Sequence, residues 1–421
     1  MKRTTRRAFL ATTAAVAMAW TVGTTPTAMA AGDTIKIGAL ATLEGAFAIL
    51  GEDSMRGVKL ALKEWGYKAG GKKLVLVTGS SNATPDSAIR AAKKLVEQSK
   101  VDILIGPLSG SEGLAIKDYA KTKPGVTFFN GTSAAQDTTL RNPAPNFYRW
   151  STDGAQWQAG LGNYAYKVKG YKTIVTVAED YSFPYTQVLG FMLDYCKAGG
   201  KVVKKFWVPI GNKDYSSIIA AIPDKIDAVY VALGGSDALN FLSQYQQAGG
   251  DKPMIAGSIT VDQTILGSKG RRKKYLIGTP SAGPIADNWN NPKWKKFVAA
   301  YKKEYPKGLP SPSLFAHGYY VNTIAALTAL DKVKGDLSNN HAKLRATLAS
   351  MTLDTPTGPV KIDQNRNAVA DMFLTEVALG KDGKLFNKVI KVIPQVDQVM
   401  GWDRKKFLAL GPVGRNNPEC K

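Results

Sequence analysis

The chain has 421 residues, of which 44% are apolar and 21% are charged. This length favours two domains, and the composition excludes a disordered or fibrous protein. Lys and Arg (56) outnumber Asp and Glu (33), but the basic residues are scattered, and their densest run, 271–274, has no interleaved aromatic residues. We therefore interpret the positive charge as solvated surface and expect no nucleic-acid partner.

Residues 1–30 have the features of a cleaved export signal peptide. The basic start contains Lys2, Arg3, Arg6 and Arg7. An apolar stretch of about a dozen residues follows, which is too short to span a bilayer. The Arg6-Arg7 pair resembles the twin-arginine signature, with an ordinary secretory signal as the alternative. We predict that cleavage after Ala30 leaves a soluble chain outside the cytoplasm, in the periplasm or an equivalent compartment.

Apolar β-type runs alternate with helical patterns through the first third of the chain. The predicted strands are 34–40, 74–78, 101–105 and 126–129. The predicted helices between them are 55–65, 85–98 and 112–121. This alternation is typical of parallel α/β architecture.

The same alternation restarts further along the chain. The predicted strands are 173–178, 201–208, 228–232 and 254–256, and the predicted helices are 185–197, 215–221 and 239–248. A helical stretch (293–305, 317–330 and 342–351) and β-rich pieces (359–362, 372–379 and 388–393) complete the pattern. We predict two α/β units of similar order, roughly 33–150 and 154–280.

The loops that follow the predicted strands are rich in glycine and small hydroxyl residues. They are 106–112, 130–135, 179–182 and 234–237. In open parallel sheets, ligands bind outside the carboxyl ends of the strands. The N–H groups of the helices that begin there favour an anion such as a carboxylate. Helix capping alone is the alternative for any one loop, but its recurrence in successive loops favours a binding site.

The chain has two cysteines and two histidines, and this small number limits the disulfides and metal sites that it can form. Outside the cytosol an even cysteine count favours a disulfide, so we predict that Cys196 pairs with Cys420. His317 and His341 are distant from each other and lie in helical context. These four residues cannot supply a four-ligand zinc set, and we expect neither a metal nor a cofactor.

Several segments together resemble one known family. They are IKIGALATLEG (35–45), GPLSG (106–110), FFNGTSAA (128–135), AEDYSFPY (178–185) and PTGPVKID (356–363). In this order and spacing, over residues 33–410, they resemble the type I periplasmic binding proteins of the leucine/isoleucine/valine-binding family. No single motif is specific, and the resemblance rests on all of them in sequence.

The resemblance implies an α/β fold of two lobes, each a doubly wound parallel sheet, joined by crossovers near 150–153, 280–283 and 355–360. Lobe one would be 33–151 plus 282–356, and lobe two would be 154–280 plus 360–421. The implied function is the extracytoplasmic solute-binding component of an ABC importer. Such a protein closes on a small carboxylate-bearing solute, of the branched-chain amino acid type, and docks transiently on a membrane permease. We expect a monomer.

The resemblance also implies which residues bind the solute. The carboxylate would be held by Gly110, Ser111, Thr132, Ser133 and Ala134. From lobe two, Tyr181 would close over the solute, and Gly235 and Ser236 would lie in a further loop. Phe47, Ile49 and Leu50 would face the solute side chain.

One position departs from the amino-acid binders of this family. Those proteins place an acidic residue after the last lobe-two strand to pair with the ligand ammonium, and the matching residue here is Ser258. Asp262 is near but out of register. Because an unpaired buried ammonium is costly, an aromatic or aliphatic carboxylic acid without an amino group is the alternative solute. Phe47, Tyr181, Phe183 and Tyr185 would supply an apolar wall for either.

Other function classes are disfavoured. The segment 109–113 (SGSEG) lacks the first glycine of a nucleophile elbow, and the chain has no GxGxxG, Walker A or HExxH motif. We therefore expect neither an enzyme nor a dinucleotide-binding module. A sensor or chemoreceptor ligand-binding protein would share the fold and the cleft and differ only in its partner.

Overall fold

The computed structural model describes residues 33–268, 274–416 and 420. The predicted export signal and most of the basic run 271–274 lie outside the described residues. From Thr34 onward the described chain forms one compact unit. None of the helices in these ranges is long and apolar enough to cross a membrane.

The first sheet is built by the N-terminal third of the described chain. Its strands are β1 (Thr34–Thr42), β2 (Lys68–Ala69), β3 (Lys72–Ser81), β4 (Ile103–Ile105), β5 (Thr127–Phe129) and β6 (Phe147–Tyr148). Their order is β2-β3-β1-β4-β5-β6, parallel except for β2. The central strand β1 is buried from Ile37 to its end, as expected for a strand covered on both faces.

Helices connect these strands: α1 (Ala48–Glu64), α2 (Pro85–Lys93) and α3 (Gly110–Lys121). The start of α2 is encoded in its sequence. The Thr84 hydroxyl accepts a hydrogen bond from the Ser87 N–H, and Pro85 has no N–H that would need an acceptor. Lys94–Gln98 continues α2 as a π-helix. The helix Leu314–Lys332 also packs on this sheet, and the helix Pro292–Glu304 packs on α1. We call this half lobe one.

The second sheet is mixed rather than parallel throughout. Its strands are β7 (Thr173–Glu179), β8 (Lys201–Val208), β9 (Ala228–Ala232), β10 (Met254–Ala256), β11 (Pro280–Gly283), β12 (Leu353–Thr355), β13 (Gly358–Ile362), β14 (Ala368–Leu379) and β15 (Leu385–Val396). Strands β7 to β11 are parallel. The two-lobed α/β fold is as predicted, but the second sheet is not parallel throughout: β14 pairs antiparallel with β11 and β15. The chain reaches β14 from β13 and leaves it for β15 through short connections, which only antiparallel neighbours allow.

The helices of the second half are α4 (Leu161–Lys167), α5 (Ser182–Lys197), α6 (Ser216–Ala220), α7 (Gly235–Gln247) and α8 (Gln263–Leu266). They are followed by α9 (Pro292–Glu304), α10 (Leu314–Lys332), α11 (Ser338–Ser350) and α12 (Arg404–Leu408). We call the half around the second sheet lobe two. Helix α10 returns to lobe one and packs on α1, where a side chain on Gly57 would lie 2.1 Å from the Ala316 carbonyl oxygen.

The chain passes between the lobes near three of its segments. The first follows β6, the second follows β11, and the third lies between α11 and β12. Residues 280–283, near which a crossover is expected, form strand β11 just before the second passage. An isolated bridge pairs Arg149, beside the first passage, with Asn367 in the turn between β13 and β14.

A buried charged network lies at this bridge. Arg149, which is fully buried, donates from Nε to Asn367 Oδ1 (2.6 Å), from Nη1 to the Ala135 carbonyl (2.7 Å) and from Nη2 to Thr139 Oγ1 (2.6 Å). Asp153 lies 3.6 Å from its guanidinium. Burial lowers the pKa of Arg149 to about 10, so it stays charged at neutral pH. We call these residues the Arg149 hub.

The predicted disulfide is confirmed. Cys196, at the end of α5, is bonded to Cys420. The bond attaches the C-terminal segment to lobe two, and Arg141 of lobe one donates to the Leu408 carbonyl of the same segment at 3.1 Å.

Candidate functional site

The loops that follow β1, β4 and β5 meet those that follow β7, β9 and β10 across a cleft between the two lobes. This is the arrangement expected for parallel sheets whose carboxyl ends face each other. On lobe one, α3 begins with a capping box: Ser109 Oγ accepts from the Glu112 N–H, and the Glu112 carboxylate accepts from the Ser109 N–H at 2.9 Å. This local pairing fixes the first turn of α3 at the cleft.

The loop after β5 is held in place from both sides. The N–H groups of Thr132 and Ser133 both donate to the Pro107 carbonyl (3.3 Å each), and Arg149 binds the Ala135 carbonyl. Ser133 packs on α3, where a side chain on Gly113 would lie 1.6 Å from Ser133 Oγ. Thr132 Oγ1 is buried and has no hydrogen-bond partner within the described residues.

The facing loops of lobe two present aromatic side chains. Tyr181 precedes the first turn of α5, and its ring lies 6.0 Å from Phe47 of lobe one and 6.1 Å from Phe183. Phe183 also packs edge-on to Trp157 at 5.5 Å. These distances are those of favourable aromatic pairs. The rings form a continuous apolar wall from one lobe to the other.

The cleft is closed, and glycines permit the closest contacts. A side chain on Gly110 would lie 2.9 Å from Phe183 Cβ, and Ser111 Oγ lies 3.1 Å from Ser182 Oγ. Gly235 has a left-handed backbone (φ +53°), and a side chain there would lie 2.2 Å from the Ala46 carbonyl oxygen. Larger residues at these positions are incompatible with this closed arrangement.

A narrow cavity with a free volume of about 10 Å³ lies in the closed cleft, and we call it the front cavity. Both lobes line it, through Leu50, Leu108, Thr132, Trp157, Tyr181, Phe183, Ile259 and Phe315. The lining is apolar except for the Thr132 hydroxyl, the Tyr181 hydroxyl and the Trp157 N–H, and the last donates to Thr152 Oγ1 at 2.8 Å. No lining residue carries a charged side chain.

A second cavity with a free volume of about 20 Å³, the rear cavity, lies on the side of the lobe connections. It shares Thr132 and Trp157 with the front cavity. Its other lining residues come from the connecting segments, α10 and β14, and include Trp150, His317, Thr357 and Asp371.

Three buried carboxyl groups surround Tyr181 without lining either cavity. Burial raises the pKa of Glu112, of Asp237 and, most strongly, of Glu179. Glu179 accepts from the Gly234 N–H at 2.8 Å through one oxygen, while its other oxygen is buried without a partner in the described part of the chain. Burial also raises the pKa of Tyr181, so its hydroxyl remains protonated.

The predicted site residues fall into three groups. Leu50, Thr132 and Tyr181 line the front cavity. Phe47, Gly110, Ser111 and Gly235 make the contacts between the lobes described above. The others face elsewhere: Ser133 and Ala134 are buried beside α3, Ser236 and Ile49 are exposed, and Ser258 accepts from Gln187 Nε2 at 2.6 Å.

The Asp262 side chain forms hydrogen bonds within the fold and does not belong to the cavity lining. Its carboxylate accepts from the Thr264 N–H (3.0 Å) and the Leu314 N–H (2.9 Å), joining α8 of lobe two to the start of α10. Burial raises its pKa to about 7. Ile259, three residues earlier, lines the front cavity at the end of β10 instead.

Four lining residues were not predicted: Leu108, Trp157, Ile259 and Phe315. Leu108 and Ile259 lie in strand-end loops that the sequence does indicate. Trp157 and Phe315 belong to a connecting segment and to α10. Their apolar side chains give no local signal that separates a cavity wall from an ordinary core.

Comparisons with known proteins agree with this architecture. Residues 34–384 match the sequence model of the periplasmic binding proteins. The Leu/Ile/Val-binding protein homolog 6 of Brucella melitensis is 25% identical over 373 residues, which cover 85% of this chain and 91% of that relative.

Two solved structures from Rhodopseudomonas palustris are similar over the whole fold. A solute-binding protein of an ABC transporter from strain BisB5, in complex with 3,4-dihydroxybenzoic acid, is 27% identical with a TM-score of 0.80, covering 87% of this chain and 99% of that one. A second, in complex with benzoate, is 25% identical with a TM-score of 0.78, covering 88% and 99%.

Proposed function

Because the chain belongs to the periplasmic binding protein family, of the Leu/Ile/Val-binding type, we propose that it is the solute-binding component of an ABC importer and that its solute is a small aromatic carboxylic acid. One observation carries the choice of solute. The front cavity is walled by aromatic and aliphatic side chains and has no acidic residue in its lining. A flat apolar ring matches the chemistry of such a wall once the lobes part to admit it, whereas an α-ammonium group would lack a partner there.

The carboxylate would bind on the lobe-one side of the cavity. The N–H groups of Gly110 and Ser111 lie in the first turn of α3, where helical N–H groups have no intrahelical acceptor. Thr132 Oγ1, unpaired in the described structure, would add a hydroxyl donor. Since neither cavity lining contains Lys or Arg, these neutral donors and the helix dipole would stabilise the anion.

The ring would lie between the lobes. Tyr181 and Phe183 would cover it from lobe two, and Leu50 and Phe315 would face it from lobe one. Because these residues belong to different lobes, a bound ring stabilises the closed arrangement relative to an open one. The closed protein would then dock on a membrane permease. We propose lobe boundaries at 33–151 plus 282–356 and 154–280 plus 360–421.

The remaining predictions concern location and assembly. We propose that residues 1–30 are a cleaved signal of the twin-arginine type and that the mature protein works as a monomer in the periplasm. The named relatives are solute-binding proteins, and we propose no catalysed reaction for this chain.

A branched-chain amino acid is the second candidate. It is favoured by the Leu/Ile/Val-binding relatives and by Glu179, the last residue of β7 and two residues before Tyr181, which has one buried oxygen without a partner among the described residues. That group would have to lose its proton and turn toward the cavity to meet an ammonium, since burial raises its pKa.

The test is a thermal-shift and calorimetric panel on the mature protein, freed of carried-over solute by unfolding and refolding. Benzoate and its hydroxylated forms are compared with leucine, isoleucine and valine. Solute at about 100 times its Kd adds about 2.7 kcal/mol of stability, which gives a clear shift. Stabilisation by the aromatic acids alone supports the proposal. Stabilisation by the amino acids alone contradicts the solute class and favours a role for Glu179.

A further inference from the structure

The last part of the described chain contacts both lobes outside the three passages. We call residues 397–416 together with Cys420 the C-terminal strap. Near its start, Gln398 Nε2 donates to Thr139 Oγ1 of lobe one at 2.9 Å. The strap then forms α12 and is bonded to α5 of lobe two through the disulfide between Cys196 and Cys420. It therefore contacts lobe one near its start and is covalently attached to lobe two at its end.

A small hydrophobic cluster joins the strap to both lobes. Val399 and Phe407 of the strap belong to one cluster with Leu140 of lobe one and with Leu189 and Leu193 of α5 in lobe two. All five side chains are buried. Because a single cluster contains side chains of both lobes, moving α5 away from the lobe-one loop would expose part of it to water. This packing therefore favours the closed arrangement over an open one.

Polar contacts lie at the same junction. Arg141 Nη2 of lobe one donates to the Leu408 carbonyl of the strap at 3.1 Å. The Gln136 N–H of lobe one donates directly to Thr186 Oγ1 of α5 at 3.2 Å. The strap thus packs where the two lobes are bonded to each other.

The strap also contacts the loop that closes over the front cavity. Arg415 donates from Nε to Asp180 Oδ1 at 2.8 Å and from Nη2 to Asp180 Oδ2, so the pairing has two points of contact. Asp180 accepts from the Tyr185 hydroxyl of α5 as well. It directly precedes Tyr181, which lines the front cavity from lobe two. The ion pair therefore connects the strap to the residue next to a cavity wall.

We propose that the C-terminal strap determines solute affinity without touching the solute: it holds α5 and the loop around Tyr181 against lobe one and so stabilises the closed arrangement. A contact that is stronger in the closed form increases the population of that form and lowers the Kd of any solute that binds it. The inference rests on the proposed function only where benzoate serves as the probe, since closure can be measured without a solute.

The first readout is the distance between the lobes in the solute-free mature protein, measured by pulsed electron–electron double resonance. Spin labels are placed at Lys59→Cys on α1 and Ser243→Cys on α7, because both positions are exposed and these helices contact each other across the cleft. The two native cysteines are bonded to each other and take up no label. We expect Arg415→Gln and the double variant Cys196→Ser/Cys420→Ser to shift the distances to longer values.

Lys405→Gln is the matched control, because it removes an exposed positive charge from the same strap. It should leave the distances as in the wild type. Calorimetry with benzoate gives the second readout: the Kd should rise about two- to fivefold in Arg415→Gln, the range of one ion pair near the surface, and should not change in Lys405→Gln. If the double cysteine variant does not fold, Arg415→Gln decides alone, since it keeps the disulfide.

The outcomes separate this inference from the proposed solute. Unchanged distances in the strap variants, or equal shifts in Lys405→Gln, overturn the inference and leave aromatic-acid binding intact. Longer distances with an unchanged benzoate Kd would show that the strap limits opening without determining affinity, which contradicts the proposal. Longer distances in a protein whose wild type does not bind benzoate support the strap and overturn the proposed solute class.

Discussion

Arg149 and Trp150 are neighbours in sequence and both are buried, but their polar groups differ in whether they have hydrogen-bond partners. The Arg149 guanidinium donates to Asn367, Ala135 and Thr139 and lies near Asp153. Trp150 Nε1 and the nearby Thr132 Oγ1 have no partner among the described residues and line a cavity. The Arg149 hub is complete without a solute, whereas the cavity wall is not.

From this difference we infer a role in stability for the Arg149 hub, and we propose a role in recognition for the cavity wall. A fully paired buried charge holds the connecting segments together, and removing it leaves its partners unpaired. An unpaired buried group at a cavity wall gains its partner only when a solute binds. Unpaired buried atoms also occur away from the cavities, as in Thr176, so it is the combination with a cavity that indicates recognition.

The largest effect is expected at the hub. Arg149→Met leaves Asp153 without its cationic partner and the carbonyls of the loop after β5 without their donor. We therefore expect the free energy of unfolding to fall by about 3–5 kcal/mol. Urea denaturation measures this. Arg141→Met is the control, since Arg141 is half-buried and paired with Asp137 at 2.8 Å, and it should lose under about 1 kcal/mol. Equal losses in both variants would contradict the special status of the hub.

The second effect concerns Asp262, a buried carboxylate whose pKa is raised to about 7. Between about pH 4 and pH 7 the folded form keeps a proton that the unfolded form has released, so stability from this group falls as pH rises. Asp262→Asn should flatten that decline by about 1–3 kcal/mol. Urea midpoints across this range measure it.

Asp336→Asn is the control for that pH profile. The pKa of Asp336 is lowered by its hydrogen bonds to Lys343 and Ser338, so its titration lies below this window. Its replacement should leave the slope between pH 4 and pH 7 as in the wild type. A wild-type slope in Asp262→Asn would assign the decline to other buried acids.

The third effect is on closure. Gly110→Ala introduces a methyl group 2.9 Å from Phe183 Cβ, so we expect the Kd of aromatic acids to rise at least about tenfold, with little loss of stability, because only the closed form is crowded. In Gly125→Ala the nearest atom is Asn340 Oδ1 at 3.7 Å, and the Kd should not change. Calorimetry with benzoate reads both; unaltered binding in Gly110→Ala would mean that solute binds with the lobes apart.

The smallest effect is expected at Thr132, where a substitution should weaken solute binding but not stability, the opposite of the result expected at the Arg149 hub. Thr132→Val removes a hydroxyl that has no hydrogen-bond partner in the part of the chain that the structure describes. Stability should therefore change by less than about 1 kcal/mol, while benzoate affinity falls about three- to tenfold. Thr176→Val makes the same change at a buried, unpaired hydroxyl outside both cavities and should not affect binding. Loss of stability without loss of affinity in Thr132→Val would place its hydroxyl in the fold rather than in the site.

Sequence patterns predicted the elements that depend on local signals. The strands 201–208, 228–232 and 254–256 coincide with β8, β9 and β10, because short apolar runs between helical patterns are distinctive. Helix α5 begins at Ser182, three residues before its predicted start. The antiparallel pairing of β14 with β11 was missed, since strand direction depends on contacts across about a hundred residues.

The site was predicted at the level of loops rather than side chains. Thr132 and Tyr181 line the front cavity, but Ser133, one residue after Thr132, packs on Gly113. Ser236 follows Gly235, whose left-handed backbone turns the next side chain to the exterior. Trp157 and Phe315 reach the cavity from a connection and from α10. Which side chain faces a cleft depends on the rotation of each element, and a loop motif does not encode that rotation.

The bridge between Arg149 and Asn367 has a mechanical consequence. The Arg149 N–H donates to the Arg366 carbonyl (2.9 Å), and the Ala368 N–H donates to the Arg149 carbonyl (2.8 Å), so the segment after β6 is bonded through its backbone to the turn between β13 and β14. A relative movement that separated these two segments would break both hydrogen bonds, and it would also separate the Arg149 guanidinium from Asn367. We therefore expect the two segments to move together when the lobes open or close.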